Sequence, residues 1–130
     1  MPKHPVVTAA APQAIGPYSQ AIVAQGGRFV YCSGQIPLDP QTGQLVGEGD
    51  VVLETRQVMG NLDAILRAAG ATLAAVVKTT IYLTDLKNFG PVNEVYAAHF
   101  STTPPARATI QVAALPKGAQ VEIEAIALID

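Results

Sequence analysis

Apolar residues recur at two spacings along this chain, and the spacing switches at its glycines and prolines. From Asp50 to Ala69 the period is helical, with Val58, Leu62, Ile65, Leu66 and Ala69 in one stripe. Asp50 can cap the first amides, and Gly70 stands at the usual C-terminal position. Asn88 to Phe100 predicts a second helix, with Phe89, Val92, Tyr96 and Phe100 on one side. Pro91 falls in its first turn, where a missing amide costs little. Alternation predicts a strand over 76–84, where Val77, Ile81 and Leu83 alternate with Lys78, Thr80, Tyr82 and Thr84. Two further strands, 106–113 and 121–129, lie on either side of Leu115-Pro-Lys-Gly118.

Ala21–Gln25 and Arg28–Ser33 flank Gly26-Gly27 and read as a hairpin, because both central positions of a primed turn need positive φ. That turn sets Gln25 opposite Arg28, Ile22 opposite Tyr31 and Gln20 opposite Ser33. Tyr18 and Ser33 then become diagonal neighbours within about 8 Å. The resulting order, β-β-α-β-α-β-β, predicts an α+β domain over 1–130. Its sheet is mostly antiparallel, with one parallel, right-handed crossover through the second helix. Both helices fall on one face. The last strand is apolar on both, with Val121, Ile123, Ala125 and Ala127 on one side and Ile126 and Leu128 on the other. One face takes the helices; the other needs a partner, expected to be further copies of the chain.

Composition sharpens this picture. The 130 residues are 49% hydrophobic but only 14% charged, against roughly 25% charged in a typical soluble domain, which again points to self-association. A chain of this size buries roughly two-thirds of its surface, enough for a core without disulfides or metals. The balance of 8 Lys+Arg to 10 Asp+Glu, net −2, excludes a generally basic surface, so neither nucleic acid nor an anionic membrane is an expected partner. No apolar run is long enough to span a membrane. The stretch 1–11 is too short and weakly charged for a secretory signal, and no Arg precedes Arg28 as a mitochondrial presequence would require. Cys32 is the single cysteine, so no intrachain disulfide forms and the expected location is the cytoplasm.

Nucleotide-binding glycine loops are absent, and His4 and His99 stand alone, so neither a metal site nor a histidine triad has support. Cys32 sits mid-strand in an apolar setting, as a structural cysteine does. Arg107 is the informative residue: it opens the apolar strand Ala-Thr-Ile-Gln-Val-Ala and is either a bidentate anion clamp or half of a structural ion pair. Glu122 and Glu124 are the candidate carboxylates, or else a solvated strand face. Tyr18 and Ser33 are site residues or packing. Asn93 is a ligand amide or an exposed helix residue.

Three strings narrow these choices. Gly16-Pro-Tyr-Ser-Gln20, Ser33-Gly-Gln-Ile-Pro37, and Pro105-Ala-Arg followed by Gln111-Val-Ala-Ala-Leu-Pro116 and Val121-Glu-Ile-Glu-Ala closely resemble the RidA (YjgF-type) family of reactive intermediate deaminases. Asn93-x-x-Tyr96 fits as well, and the resemblance runs over essentially the whole chain. It implies a chorismate-mutase-like α+β subunit, two helices on one sheet face, assembled as a homotrimer with ligand clefts between subunits. It also implies hydrolysis of 2-imino acids and their enamines, such as 2-aminoacrylate/2-iminopropanoate and 2-iminobutanoate, to 2-oxo acids and ammonia. That activity protects pyridoxal-phosphate enzymes and uses neither cofactor nor metal. By the same resemblance Arg107 grips the substrate carboxylate and Glu122 handles water or protons. Tyr18, Ser33, Asn93, Gly34 and Ile36 line the cleft. Thr109 belongs to the same substrate-binding set; it stands where many relatives have Cys and keeps a small polar group without the thiol. Two other functions compete: a trimer that binds 2-oxo acids without turnover, and an RNA-cleaving translation inhibitor.

Overall fold

The computed structural model describes residues 3–130, so the first two residues of the stretch 1–11 lie outside it. Six strands and two helices follow in the order β1 (Lys3–Val6), β2 (Ala21–Ala24), β3 (Arg28–Gln35), α1 (Val51–Ala68), β4 (Val76–Leu83), α2 (Phe89–Ala97), β5 (Ala106–Gln111) and β6 (Val121–Ile129). Four strands form the main sheet in the order β3-β6-β4-β5, and β1 pairs with β2 in a separate two-stranded sheet. The β4–β5 pair flanking α2 is parallel, and β3–β6 and β4–β6 are antiparallel. This is the expected α+β arrangement with its one crossover.

Each helix forms for local reasons. Asp50 caps α1 by accepting from the amides of Val52 (2.9 Å) and Leu53 (3.3 Å). Gly70, at φ +84°, turns the chain out, and the Ala71 amide closes back on the Leu66 carbonyl. The buried side of α1 comprises Glu54, Thr55, Val58, Met59, Leu62 and Leu66. Ile65, expected in the stripe, is instead 36% exposed, because it sits at the margin of a face centred on Leu62 and Leu66. In α2, Val92 and Tyr96 are buried, Phe100 packs against the core from just beyond the helix, and Phe89 stays half-exposed.

Both helices pack on the sheet face formed by Cys32, Ile81, Leu83, Val121, Ile123, Ala125 and Ala127, all in one core cluster. Burial of Cys32 there pushes its thiol above the ordinary value, so it is a poor nucleophile. The opposite face carries Tyr31, Lys78, Thr80, Tyr82, Glu122, Glu124 and Ile126, none of them fully buried.

The expected β2–β3 hairpin does not form. Gly26 and Gly27 do take positive φ, 75° and 63°, yet β2 pairs with β1, setting Ile22 opposite Pro5 rather than Tyr31. The segment before β2 is tied elsewhere: Ser19 donates from its amide to the Pro105 carbonyl (3.2 Å) and from its hydroxyl to the Pro104 carbonyl (2.6 Å). Those bonds carry residues 16–20 to the start of β5. A Cβ on Gly27 would overlap the Ile129 carbonyl, so the close passage of β6 also requires glycine there. Tyr18 and Ser33 are therefore not neighbours.

Candidate active site

Arg107 is the second residue of β5 and lies opposite Thr79 of β4. Thr79 is buried on the helix-covered face, and paired residues of adjacent strands share a face, so the guanidinium projects toward α2. There Nη1 donates to the Asn93 side-chain oxygen at 2.7 Å. Three rings surround the same group, with centroids 5.1 Å (Tyr96), 5.4 Å (Tyr18) and 5.5 Å (Phe89) from Cζ. Tyr18 arrives on the segment anchored by Ser19. Gly16 lies against Nη2, where a Cβ would stand 3.4 Å away.

The electrostatics of this half-buried arginine are unbalanced. The ion pair found among the described residues is Arg67–Asp63, on the outside of α1; Arg107 has no carboxylate partner there. Burial lowers its pKa from the ordinary value, with the Tyr96 and Tyr18 oxygens acting in the other direction, and a guanidinium nevertheless stays charged. Of its five donors, the one recorded side-chain bond uses only Nη1, which leaves the rest of the planar fork for an incoming anion. The structural ion-pair alternative with Glu122 or Glu124 fails on topology. Glu122 lies opposite Tyr82 and Glu124 opposite Thr80, on the other face of the sheet from Arg107.

Tyr96 holds the floor of this half-site. Its hydroxyl shares a 2.8 Å hydrogen bond with Thr79 Oγ1, and both residues are buried. Burial raises the Tyr96 pKa; the Thr79 bond and Arg107 oppose the rise. Tyr96→Phe removes the partner and leaves a buried hydroxyl unsatisfied, so unfolding in urea should show a loss of about 1–3 kcal/mol. An unchanged midpoint would mean that this bond carries no stability. Thr109, two residues beyond Arg107 on the same face, has a buried Oγ1 with no hydrogen-bond partner among the described residues.

A second group of predicted residues gathers on the opposite face. The β3–β6 register slips between Cys32 and Gln35, so Ser33 and Gly34 form an irregularity in the strand. The Glu122 carboxylate occupies the space that a Cβ on Gly34 would fill. Ser33 is exposed beside it, and Ile36 follows, its carbonyl accepting from the Leu38 amide (2.8 Å) and from Asn61 Nδ2 (3.3 Å). Under the role that the RidA resemblance implies for Glu122, Gly34→Ala should displace the carboxylate and lower kcat about 10²-fold with little change in the melting temperature. Unaltered turnover would mean that the position of Glu122 does not matter.

Thus one chain brings together Arg107, Asn93, Tyr18 and Thr109, and separately Glu122, Gly34 and Ser33, but does not unite the two groups. Arg107 and Glu122, both assigned to the site by the resemblance, do not meet within a single copy. Phe89 and Tyr96 were absent from the predicted site; their i, i+7 spacing around Asn93 was the available signal, read instead as core. His4 and His99 are exposed, and no group of three or more His, Cys, Asp or Glu converges among the described residues.

A mixed four-stranded sheet with two helices on one face, and an arginine at its edge without a carboxylate partner among the described residues, defines a small α+β fold. The sequence model described as endoribonuclease L-PSP matches residues 8–129, and the chain belongs to that family, as the three motifs shared with RidA proteins indicated. It is 55% identical over 123 residues to the mouse (Mus musculus) 2-iminobutanoate/2-iminopropanoate deaminase, covering 95% of this chain and 89% of that protein. The crystal structure of RidA from Psychrobacter sp. PAMC 21119 matches with TM-score 0.75 and 48% identity, over 97% of this chain and 99% of that one. The Rid-family protein YyfB from Yersinia pestis, only 30% identical, superposes better, with TM-score 0.91 over 99% of this chain and 100% of its own. No helix among the described residues is long and apolar enough to cross a membrane.

Proposed function

We propose that this chain hydrolyses small 2-imino acids and their enamine tautomers, the 2-iminobutanoate/2-iminopropanoate class, to 2-oxo acids and ammonia. The observation that carries the reading is Arg107: a half-buried guanidinium, boxed by three rings, with no carboxylate partner among the described residues and most of its fork unused. A planar carboxylate is the ligand that geometry fits. The relatives named as deaminases of these substrates support the same substrate class.

The chemistry asks little beyond positioning. Water adds its oxygen to the carbon of the imine protonated on nitrogen, the C=N π electrons move to that nitrogen and neutralise it, and one water proton passes to a base. The carbinolamine then collapses: its hydroxyl proton leaves, the C=O forms, the C–N bond breaks, and nitrogen departs as ammonia after protonation. Arg107 holds the carboxylate, and Glu122 takes the water proton and returns it to the leaving nitrogen. Because these two residues lie on opposite faces of one sheet, the complete site is assembled between copies, in a homotrimer whose open faces carrying Glu122 and Gly34 meet the Arg107 edge of a neighbour. The half-exposed Phe29 and the exposed Tyr31 and Ile110 support such burial. In the cell the expected role is removal of reactive imines that damage pyridoxal-phosphate enzymes, in the cytoplasm.

The test is a coupled assay in which a dehydratase releases 2-iminobutanoate while semicarbazide competes for it. Faster 2-oxobutanoate formation establishes hydrolysis. A raised melting temperature with 2-oxobutanoate but no acceleration would make the chain a binding module instead. RNA cleavage fits poorly with a net charge of −2, which offers no counterion-release gain.

A further inference from the structure

Glu54 is a carboxylate that the proposed reaction does not use, and it is 1% exposed. It lies on the core side of α1 between residues that are otherwise apolar or hydroxylic. Burying a carboxylate is costly unless its oxygens are satisfied, and an apolar side chain would serve the core better. Both oxygens are satisfied by one residue. Oε1 accepts from the Gln120 amide and Oε2 from Gln120 Nε2, each at 2.8 Å. The second hydrogen of that Nε2 goes to the Gly49 carbonyl at 2.7 Å. On its other side Gln120 accepts from the Thr84 amide at 3.2 Å. Gly47, at φ +103°, lets the loop before α1 lie against Glu54, where a Cβ would stand 3.0 Å from its Cγ.

Gln120 is the residue immediately before β6, and Glu122 is the second residue within it. We propose that Glu54 is a positioning residue for Glu122: by gripping both ends of Gln120 it sets where β6 begins, and so where the Glu122 carboxylate rests against Gly34. The inference rests on the reading of Glu122 as the proton-handling group. A buried carboxylate here, rather than an apolar residue, clamps backbone and side chain of one residue at once, and so restricts both the shift and the tilt of the strand's first turn of pleat.

The experiment compares steady-state imine hydrolysis by Glu54→Leu, Glu54→Gln and Gln120→Ala, with Glu54→Leu and Gln120→Ala also made in a Glu122→Gln background. Expected are a kcat about tenfold lower for Glu54→Leu, a KM within about twofold, and recovery of most of the loss in Glu54→Gln, which keeps an acceptor for the Gln120 amide. In the Glu122→Gln background the loss should vanish, because the group being positioned is already disabled. Should Glu54→Leu fail to fold, Gln120→Ala carries the same test, since it keeps the backbone bond and deletes only the side-chain pair. Equal losses in both backgrounds, or a change confined to KM, would overturn the inference. Full activity of Glu122→Gln alone would instead overturn the reading of Glu122 beneath it.

Discussion

Arg107→Ala should lower kcat/KM for imine hydrolysis by about 10²-fold or more while leaving the fold intact. A single charge-assisted hydrogen bond is worth about 1.5–3 kcal/mol, or about 10- to 150-fold, and the fork offers more than one. The stability cost should be small, because the guanidinium pairs with Asn93 and three rings but with no buried carboxylate. Arg107→Lys should recover little of the loss. An ammonium keeps the charge but cannot bond Asn93 and present two parallel donors to a carboxylate from one plane. 2-Oxobutanoate should raise the melting temperature of the parent chain and of neither variant. Wild-type kinetics in a folded Arg107→Ala protein would remove the anion clamp from the account.

Glu122→Gln should behave differently. Proton transfer by a placed side chain contributes about 10²- to 10⁴-fold, so kcat should fall within that range. Binding of 2-oxobutanoate should persist, because the Arg107 fork that anchors the carboxylate is unchanged. The amide nearly preserves the volume that rests against Gly34, so the local packing survives. The contrast between the two variants, one losing binding and turnover and the other turnover alone, is the kinetic signature of two half-sites. Loss of ligand binding in Glu122→Gln would show instead that the carboxylate helps to hold the substrate.

Much of the fold is written in short-range signals. Asp50 and Gly70 bracket α1, alternation marks β4 and β6, and the crossover through α2 dictates a parallel β4–β5 pair. What was illegible depended on distant partners. Gly26-Gly27 sets positive φ but cannot choose what β2 pairs with; that is decided by Ser19 and the carbonyls of Pro104 and Pro105, far along the chain. For the same reason β1, a short strand interrupted by Pro5, left no periodic trace. The site divides in a similar way. Arg107 stands out as a charge in an apolar stretch, Asn93 reads as either a ligand amide or an exposed helix residue, and the structure joins the two. Phe89 and Tyr96 have rings that suit a core as well as a cation, so periodicity alone absorbed them into packing. The face of each strand residue follows from alternation, yet whether Arg107 and Glu122 share a face depends on the β4–β5 and β4–β6 registers. Those registers put them on opposite sides.

That separation makes one measurement decisive for the claim that catalysis unites Arg107 of one copy with Glu122 of another. Arg107→Ala and Glu122→Gln chains carrying different tags are co-expressed, the mixed trimers are isolated through both tags, and imine hydrolysis is measured beside each parent variant. A closed ring that holds both kinds of chain has both native residues at one of its interfaces, roughly a third, so the isolated hybrids should regain about a third of wild-type activity. Hybrids as inactive as their parents would contradict the account, because the two residues would then have to act from the same chain.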